Sequence, residues 1–173
     1  MSPAVSLLVP LLTSVINGSL VEPGSSAEVV QLESGGLRCT AVLASPRVLL
    51  TAAHCAREND GWFNYSGARY VVELFRSRDY GRLGHDLAVG VVDREVQGAA
   101  RLPIDLGVDA GDSLEVFGYG CTEPGGDGRR GTLRSGLTRI EKIRRSFLLV
   151  ASLAGGGAVC FGDSGGPAFT VRD

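Results

Sequence analysis

The amino-acid sequence predicts an all-β fold made of two successive β units. Glycine supplies 25 of the 173 residues, about twice the usual 7% share, and it is dispersed without a repeating period. Many tight turns are therefore expected. Short runs of β-branched or alternating apolar residues recur along the chain, as they do in barrels and sandwiches. No amphipathic segment of three helical turns stands out, and a hydrophobic content of 44% is sufficient for a sizeable core.

The two units follow from the order of these runs. The first unit contains a segment with Trp62 and Tyr65 that is predicted to be a loop or a short strand, and no chemistry is assigned to it. A crossing linker over 93–111 leads to the second unit, in which the glycine-rich segment 123–131 is expected to form an exposed loop. The predicted strands cover 27–32, 36–43, 47–52, 69–76 and 86–92 in the first unit, and 112–120, 132–143, 146–152 and 167–172 in the second.

Charge and apolar content exclude several classes of partner. The formal net charge of −2 provides no basic field for a nucleic acid or an anionic membrane. The apolar segment 4–12 is far shorter than the ~20 residues that span a bilayer, so it predicts a secretory leader and no membrane span. The four cysteines include no C-x-x-C pair, which disfavours zinc and redox sites and favours disulfides. The sequence therefore predicts a secreted, periplasmic or extracellular protein without metal or cofactor.

Three short motifs contain residue types that carry chemistry. TAAHC covers 51–55 and closes a strand, HDLAV covers 85–89 and opens one, and GDSGGP covers 162–167. Each motif alone has a purely structural interpretation, since a His–Cys strand end, an Asp at a strand start and a glycine-rich turn are all common. Together they supply, in the order His, Asp, Ser, the three groups that nucleophilic acyl transfer requires.

From about Val15 to its end the chain resembles the trypsin/chymotrypsin-like serine proteases, in a bacterial-type form, on the strength of these motifs. The resemblance implies two six-stranded antiparallel Greek-key barrels. Residues 1–14 would be a leader or propeptide, 15–100 the N-terminal barrel and 101–173 a partial C-terminal barrel. Because family members continue through two further strands after the nucleophile, the second barrel is expected to lack its last two strands.

The same resemblance implies which residues form the catalytic site and which take part in its activation. Ser164 would be the nucleophile, and His54 would take its proton and later protonate the leaving amine. Asp86 would hold the other ring nitrogen of His54 and stabilise the imidazolium. The N–H groups of Gly162 and Ser164 would form the oxyanion hole. Asp163 would accept an ion pair from an amino terminus freed at Val15, which predicts a zymogen cleaved after Ser14.

The family also implies which cysteines pair. Cys39 and Cys55 match the disulfide that ties the strand below the active site to the histidine loop. Cys160 normally pairs with a downstream cysteine that this chain does not contain, so a Cys121–Cys160 disulfide is predicted. The alternative is that Cys121 and Cys160 are each unpaired.

The specificity pocket departs from that of trypsin. Six residues before the nucleophile, where trypsin has the Asp that binds Lys or Arg, this chain has Ala158, followed by Val159. A small or apolar P1 residue is therefore expected. His85, beside Asp86, is interpreted as a structural loop residue.

Two classes of function remain open. The first is a secreted serine endopeptidase that acts on a protein or peptide, with a protein protease inhibitor as a possible further partner. The second is a catalytically impaired or truncated homologue that acts as a binding protein. The intact His, Asp and Ser favour the first class, and the missing strands favour the second. An esterase has little support, because GDSGG lacks the strand–turn–helix context of a nucleophile elbow.

Overall fold

The computed structural model describes residues 15–82, 85–104, 107–123, 131–144, 147–150 and 158–171. Within these residues the protein is built from β-strands and one short 3₁₀ turn at Ala53–Cys55. The strands are β1 Ser19–Leu20, β2 Val29–Ser34, β3 Leu37–Ser45, β4 Val48–Thr51, β5 Asp60–Tyr65, β6 Ala68–Arg76, β7 Ala88–Val92, β8 Ser113–Gly118, β9 Arg134–Arg144, β10 Phe147–Val150 and β11 Ala168–Thr170.

Six strands close the first barrel in the order β2-β3-β4-β7-β6-β5. Two glycines form the turn between β2 and β3. Gly35 and Gly36 adopt positive φ, of 52° and 74°, which suits a two-residue hairpin turn. Side chains alternate strictly along β6, where Tyr70, Val72 and Leu74 are buried and the residues between them are exposed. One face of each strand thus fills the barrel interior.

The barrel interior is a single apolar core. Its fully buried large side chains come from β2, β3, β4, β5, β6 and β7, so every strand of the barrel contributes to it. They are Leu32, Leu43, Leu49, Phe63, Val72 and Val92.

The second unit is an open, curled sheet. Its strands follow the order β1-β9-β8-β11, and β10 pairs with β9 away from this path. The predicted architecture is confirmed: the fold is all-β, with one closed six-stranded barrel and a second barrel that is incomplete. β1 pairs with β9 of the second unit, Ser19 opposite Ser135, although it precedes the first barrel in the chain. The first described residues therefore cross to the second sheet.

Parts of several predictions lie outside the described residues. These are the leader and propeptide at 1–14, residues 105–106 of the linker, most of the glycine-rich loop at 123–131, the ends of the strand predicted at 146–152, and the last residue of the strand predicted at 167–172. In the described part of the chain, no helix has the length and apolar character needed to cross a membrane.

Candidate active site

The histidine of the first motif lies on a short 3₁₀ turn. β4 ends at Thr51, and the 3₁₀ turn that follows buries Ala53 and Cys55 while leaving His54 exposed. A disulfide joins Cys55 to Cys39 of β3. Because both neighbours of His54 are buried, its backbone is anchored on each side. The sulfur atoms beside His54 are consumed by the disulfide, so this cluster offers no thiolate to a metal ion.

Asp86 forms two hydrogen bonds with His54. Its Oδ2 lies 2.6 Å from Nδ1 of the imidazole, and its Oδ1 accepts a hydrogen bond of 2.9 Å from the His54 amide. Burial acts to raise the pKa of Asp86, but the side-chain and backbone hydrogen bonds from His54 outweigh it and leave that pKa below its ordinary value. Asp86 is thus an anion suited to holding a protonated imidazole.

This pair lies at the edge of a wide cleft. The side chains of His54 and Asp86 are 42% and 49% exposed. A cavity of about 930 Å³ begins at Asp86 and Leu87 and extends to the Gly165–Thr170 segment, between the closed barrel and the open sheet. Its walls are largely apolar, with Leu102, Pro103 and Ile104 from the linker on one side. Water therefore reaches the Asp86 carboxylate from this cleft and weakens its attraction to the imidazole.

The serine loop, residues 162–167, is bound to the first barrel through its backbone. The Ser164 carbonyl accepts a 3.0 Å hydrogen bond from the amide of Thr40 on β3, and Cys55 Sγ lies 3.6 Å from the same oxygen. Gly165 has a φ of 81°, and a Cβ there would overlap the Thr51 side chain. Only glycine permits this approach, which brings Ser164 beside the segment that carries His54.

No hydrogen bond joins Ser164 Oγ to the His54 ring within the described part of the chain. Such contacts are often long in substrate-free sites and shorten in the Michaelis complex. The structure thus brings His54 and Asp86 into direct contact and brings Ser164 near them through its backbone alone.

The side chain of Asp163, a residue of the serine loop, is buried. Its carboxylate accepts hydrogen bonds of 2.7 Å from the amides of Gly120 and Cys160 and a further one from the amide of Val15. Burial raises the pKa of Asp163, and the three backbone hydrogen bonds partly counteract it. A Cβ at Gly118 or Gly120 would overlap this carboxylate, so both glycines make room for it.

The structure also brings Val15 to Asp163. Val15 is 1% exposed, and the next residue, Ile16, forms an antiparallel bridge with Ala158 in which both amides donate, at 2.6 and 3.0 Å. The predicted activation residues are therefore adjacent, and the chain around Val15 is fixed to the segment that precedes the serine loop.

The predicted pocket residues are on the surface. Ala158 is exposed and Val159 is 65% exposed, so the described residues do not enclose them. The second disulfide joins Cys121 to Cys160, the pairing expected from the sequence, and the described cysteines include no free thiol.

Two buried residues of this region were not singled out by the sequence. Thr40 is 0% exposed and donates from its hydroxyl to the Gly162 carbonyl at 2.8 Å. Arg134 on β9 is 9% exposed, and its Nε and Nη1 have no hydrogen-bond partner in the described structure. Two sequence signals could have pointed to these residues. Thr40 directly follows a cysteine, and Arg134 occupies an inward position of a strand.

The trypsin family model matches residues 15–172. Taken with the two-unit β fold and the His54–Asp86 contact, this match shows that the chain belongs to the trypsin family of serine proteases. The bovine (Bos taurus) protein described as suppressor of tumorigenicity 14 protein homolog is 26% identical over 197 residues, covering 88% of this chain and 23% of that protein. The chain thus spans 23% of that relative's length. The solved structure of human heparin binding protein matches with a TM-score of 0.72 and 20% identity, over 88% of this chain and 79% of that one. This second likeness shows the shared fold.

Proposed function

We propose that this chain is a serine endopeptidase that cleaves peptide bonds through an acyl-enzyme intermediate on Ser164. The observation that carries the proposal is the 2.6 Å contact between His54 Nδ1 and the Asp86 carboxylate. This contact commits Nδ1 as the donor and leaves Nε2 as the basic nitrogen. Membership of the trypsin family supports the same assignment.

In the proposed reaction Ser164 Oγ attacks the carbonyl carbon of the scissile bond while its proton moves to Nε2 of His54. The imidazolium, stabilised by Asp86, then protonates the leaving amine as the C–N bond breaks. Water enters, gives a proton to His54 and attacks the acyl carbon, and the proton returns to Ser164 Oγ as the acid product leaves. The reaction needs only the groups of this chain and water.

The negative oxygen of each tetrahedral intermediate would be held by the amides of Gly162 and Ser164. Gly162 has a φ of 104°, a conformation that glycine adopts without strain. The Phe161 carbonyl accepts from the Cys121 amide at 3.0 Å, so the Gly162 N–H, on the opposite side of the same trans peptide, points away from Cys121. Removal of one such donor typically costs about 10²–10³ in kcat.

The activation mechanism that we propose is cleavage after Ser14. The amide of Val15 already donates to the buried Asp163 carboxylate. Cleavage would replace this neutral donor by an ammonium group, which binds a carboxylate more strongly. The protein would be a secreted zymogen, and its two disulfides fit an oxidising compartment. N-terminal sequencing of active protein tests this step, since a start other than Val15 would contradict it.

The proposed substrate is a protein or peptide with a small or apolar P1 residue. This preference rests on Ala158, a small uncharged residue that cannot pair with a cationic P1 side chain. A protein protease inhibitor is a further partner of the same surface. A peptide library varied at P1 measures the preference, and strong cleavage after Arg or Lys would contradict it.

A fluorophosphonate probe tests the proposed chemistry directly. The probe phosphonylates an activated serine, and mass spectrometry of the digested protein identifies the labelled residue. We expect Ser164 to be labelled in the wild type and in Ser25→Ala, which removes an exposed hydroxyl bonded to the Glu22 carbonyl. Labelling should be lost in Ser164→Ala and strongly reduced in His54→Ala. Folded wild-type protein without label at Ser164 would refute the proposal.

A further inference from the structure

The loop that carries Ser164 is held by one buried residue of the first barrel. Thr40 lies on β3, next to Cys39, and is 0% exposed. Its amide donates to the Ser164 carbonyl at 3.0 Å, and its hydroxyl donates to the Gly162 carbonyl at 2.8 Å. One residue thus binds two carbonyl groups of the serine loop.

These two carbonyl groups flank the peptide that carries the Ser164 N–H. That peptide joins Asp163 to Ser164, and its own carbonyl accepts from the Gly166 amide at 3.0 Å. Because a trans peptide directs its N–H opposite to its C=O, these bonds together set the direction of the Ser164 N–H. Two of the three bonds come from Thr40.

The Thr40 hydroxyl is itself oriented by the surrounding backbone. It accepts a 2.9 Å hydrogen bond from the Tyr119 amide, so its single proton is left for Gly162. The Thr40 carbonyl accepts from the Thr51 hydroxyl at 2.9 Å. Every polar group of Thr40 is therefore bonded, which fixes the rotamer of its side chain.

We propose that Thr40 is a positioning residue that aims the Ser164 amide of the oxyanion hole. This inference rests on the proposed function. Cys39 is disulfide-bonded to the histidine turn, so the neighbouring residues 39 and 40 connect the base and the oxyanion loop to the same point of β3. The histidine turn and the oxyanion loop are therefore both attached to the closed barrel at β3.

The test compares Thr40→Val, which keeps the shape but loses the hydroxyl, with Thr40→Ser, which keeps the hydroxyl. Oxyanion donors act in the transition state. We therefore expect Thr40→Val to lower kcat by about 10- to 100-fold, less than complete removal of a donor, with KM nearly unchanged. Thr40→Ser should restore most of kcat.

Ser34→Ala is the matched control for lost stability. Ser34 is also buried, donates to the Asp60 carbonyl at 2.7 Å and accepts from the Glu58 amide at 3.1 Å. Its removal should lower the melting temperature as Thr40→Val does and leave kcat unchanged. A Thr40→Val enzyme with wild-type kcat, or equal losses of kcat in Thr40→Val and Ser34→Ala, would overturn the proposal.

Amide hydrogen exchange provides a readout that does not depend on activity. Thr40→Val should accelerate exchange in the 160–166 segment, whereas Thr40→Ser and Ser34→Ala should not. If the wild type fails to react with fluorophosphonate, the proposed function fails, and exchange still decides the role of Thr40. Unchanged exchange in Thr40→Val would refute that role in either case.

Discussion

The imidazole of His54 and the carboxylate of Asp86 are joined at 2.6 Å, and the second oxygen of the same carboxylate accepts from the His54 amide at 2.9 Å. Two hydrogen bonds fix both the ring and the backbone that carries it. They form although the two side chains are 42% and 49% exposed. The orientation of His54 therefore relies on these bonds more than on burial.

Asp86→Asn should abolish most activity while the protein remains folded. An amide at this position can donate to Nδ1, which reverses the tautomer and places the proton on Nε2. In the Ser-His-Asp template this change lowers kcat by about 10⁴-fold. Hydrolysis of a peptide ester under saturating conditions measures kcat, and a Ser25→Ala enzyme serves as the control. A variant within tenfold of the wild type would contradict the role of Asp86.

Asp86 should also contribute a pH-dependent part of the stability. Its pKa in the folded state is below the ordinary value, so at low pH the unfolded chain binds more protons. The stabilisation is present above the ordinary aspartate pKa and is lost as the pH falls through the lowered value.

Urea unfolding of the wild type and of Asp86→Asn over a range of acidic pH measures this contribution. The difference in free energy of unfolding should shrink as the pH falls through the acidic range in which Asp86 takes up a proton. Asp163, whose pKa is raised by burial, has the opposite slope, but it is common to both proteins and cancels. A difference that does not change with pH would exclude the linkage.

Removal of the Cys39–Cys55 disulfide should destabilise the protein. The two residues are 16 apart in sequence, and closing a loop of this size is worth about 3 kcal/mol in the chain-entropy model. The double variant Cys39→Ala/Cys55→Ala should also lose activity below its melting temperature, because the turn that bears His54 loses its link to β3. Denaturant unfolding together with fluorophosphonate labelling measures both effects. Full labelling of the folded double variant would show that the disulfide does not position His54.

Gly118→Ala should be strongly destabilising. A Cβ at this position would overlap the Asp163 carboxylate, which cannot move without breaking its backbone hydrogen bonds. Gly24→Ala is a useful comparison, since a Cβ there meets no atom within 4 Å and the cost is that of a φ of 87° alone, about 1–2 kcal/mol. Thermal unfolding of both variants should show the larger loss for Gly118→Ala. Equal losses would mean that Asp163 is free to move.

Arg134→Met should stabilise the protein. Burial lowers the pKa of this guanidinium, and two of its nitrogen atoms lack a partner in the described structure. An unsatisfied buried polar group costs about 1–3 kcal/mol, which an apolar side chain of similar length avoids. Arg139→Met, an exposed position on the same strand, should change the free energy of unfolding by less than about 0.5 kcal/mol. A lower stability of Arg134→Met would indicate that the guanidinium has a partner.

Most of the strands were predictable from the sequence, and the exceptions are β1 and β5. Apolar alternation places nine of the eleven described strands near their observed bounds. It does not detect the two-residue strand β1, and around Trp62 it is compatible with either a loop or a short strand. The segment around Trp62 forms β5, at Asp60–Tyr65. Gly61 weakens the strand pattern of this segment. A glycine is needed at this position because a Cβ would lie 2.7 Å from the Glu33 carbonyl of β2. Gly61 and Glu33 are too far apart in sequence for a local pattern to relate them.

Local sequence patterns are sufficient to give the all-β class, the approximate strands and the residue types of the site, because periodicity and short motifs are local properties of a chain. Contacts between distant residues come from the tertiary structure: the His54–Asp86 contact that the family resemblance implies forms at 2.6 Å, β1 joins the second sheet, and Thr40 binds the serine loop. These relationships join residues that are far apart in sequence. Their geometry follows from closure of the barrel and packing of the open sheet against it, which no local pattern encodes.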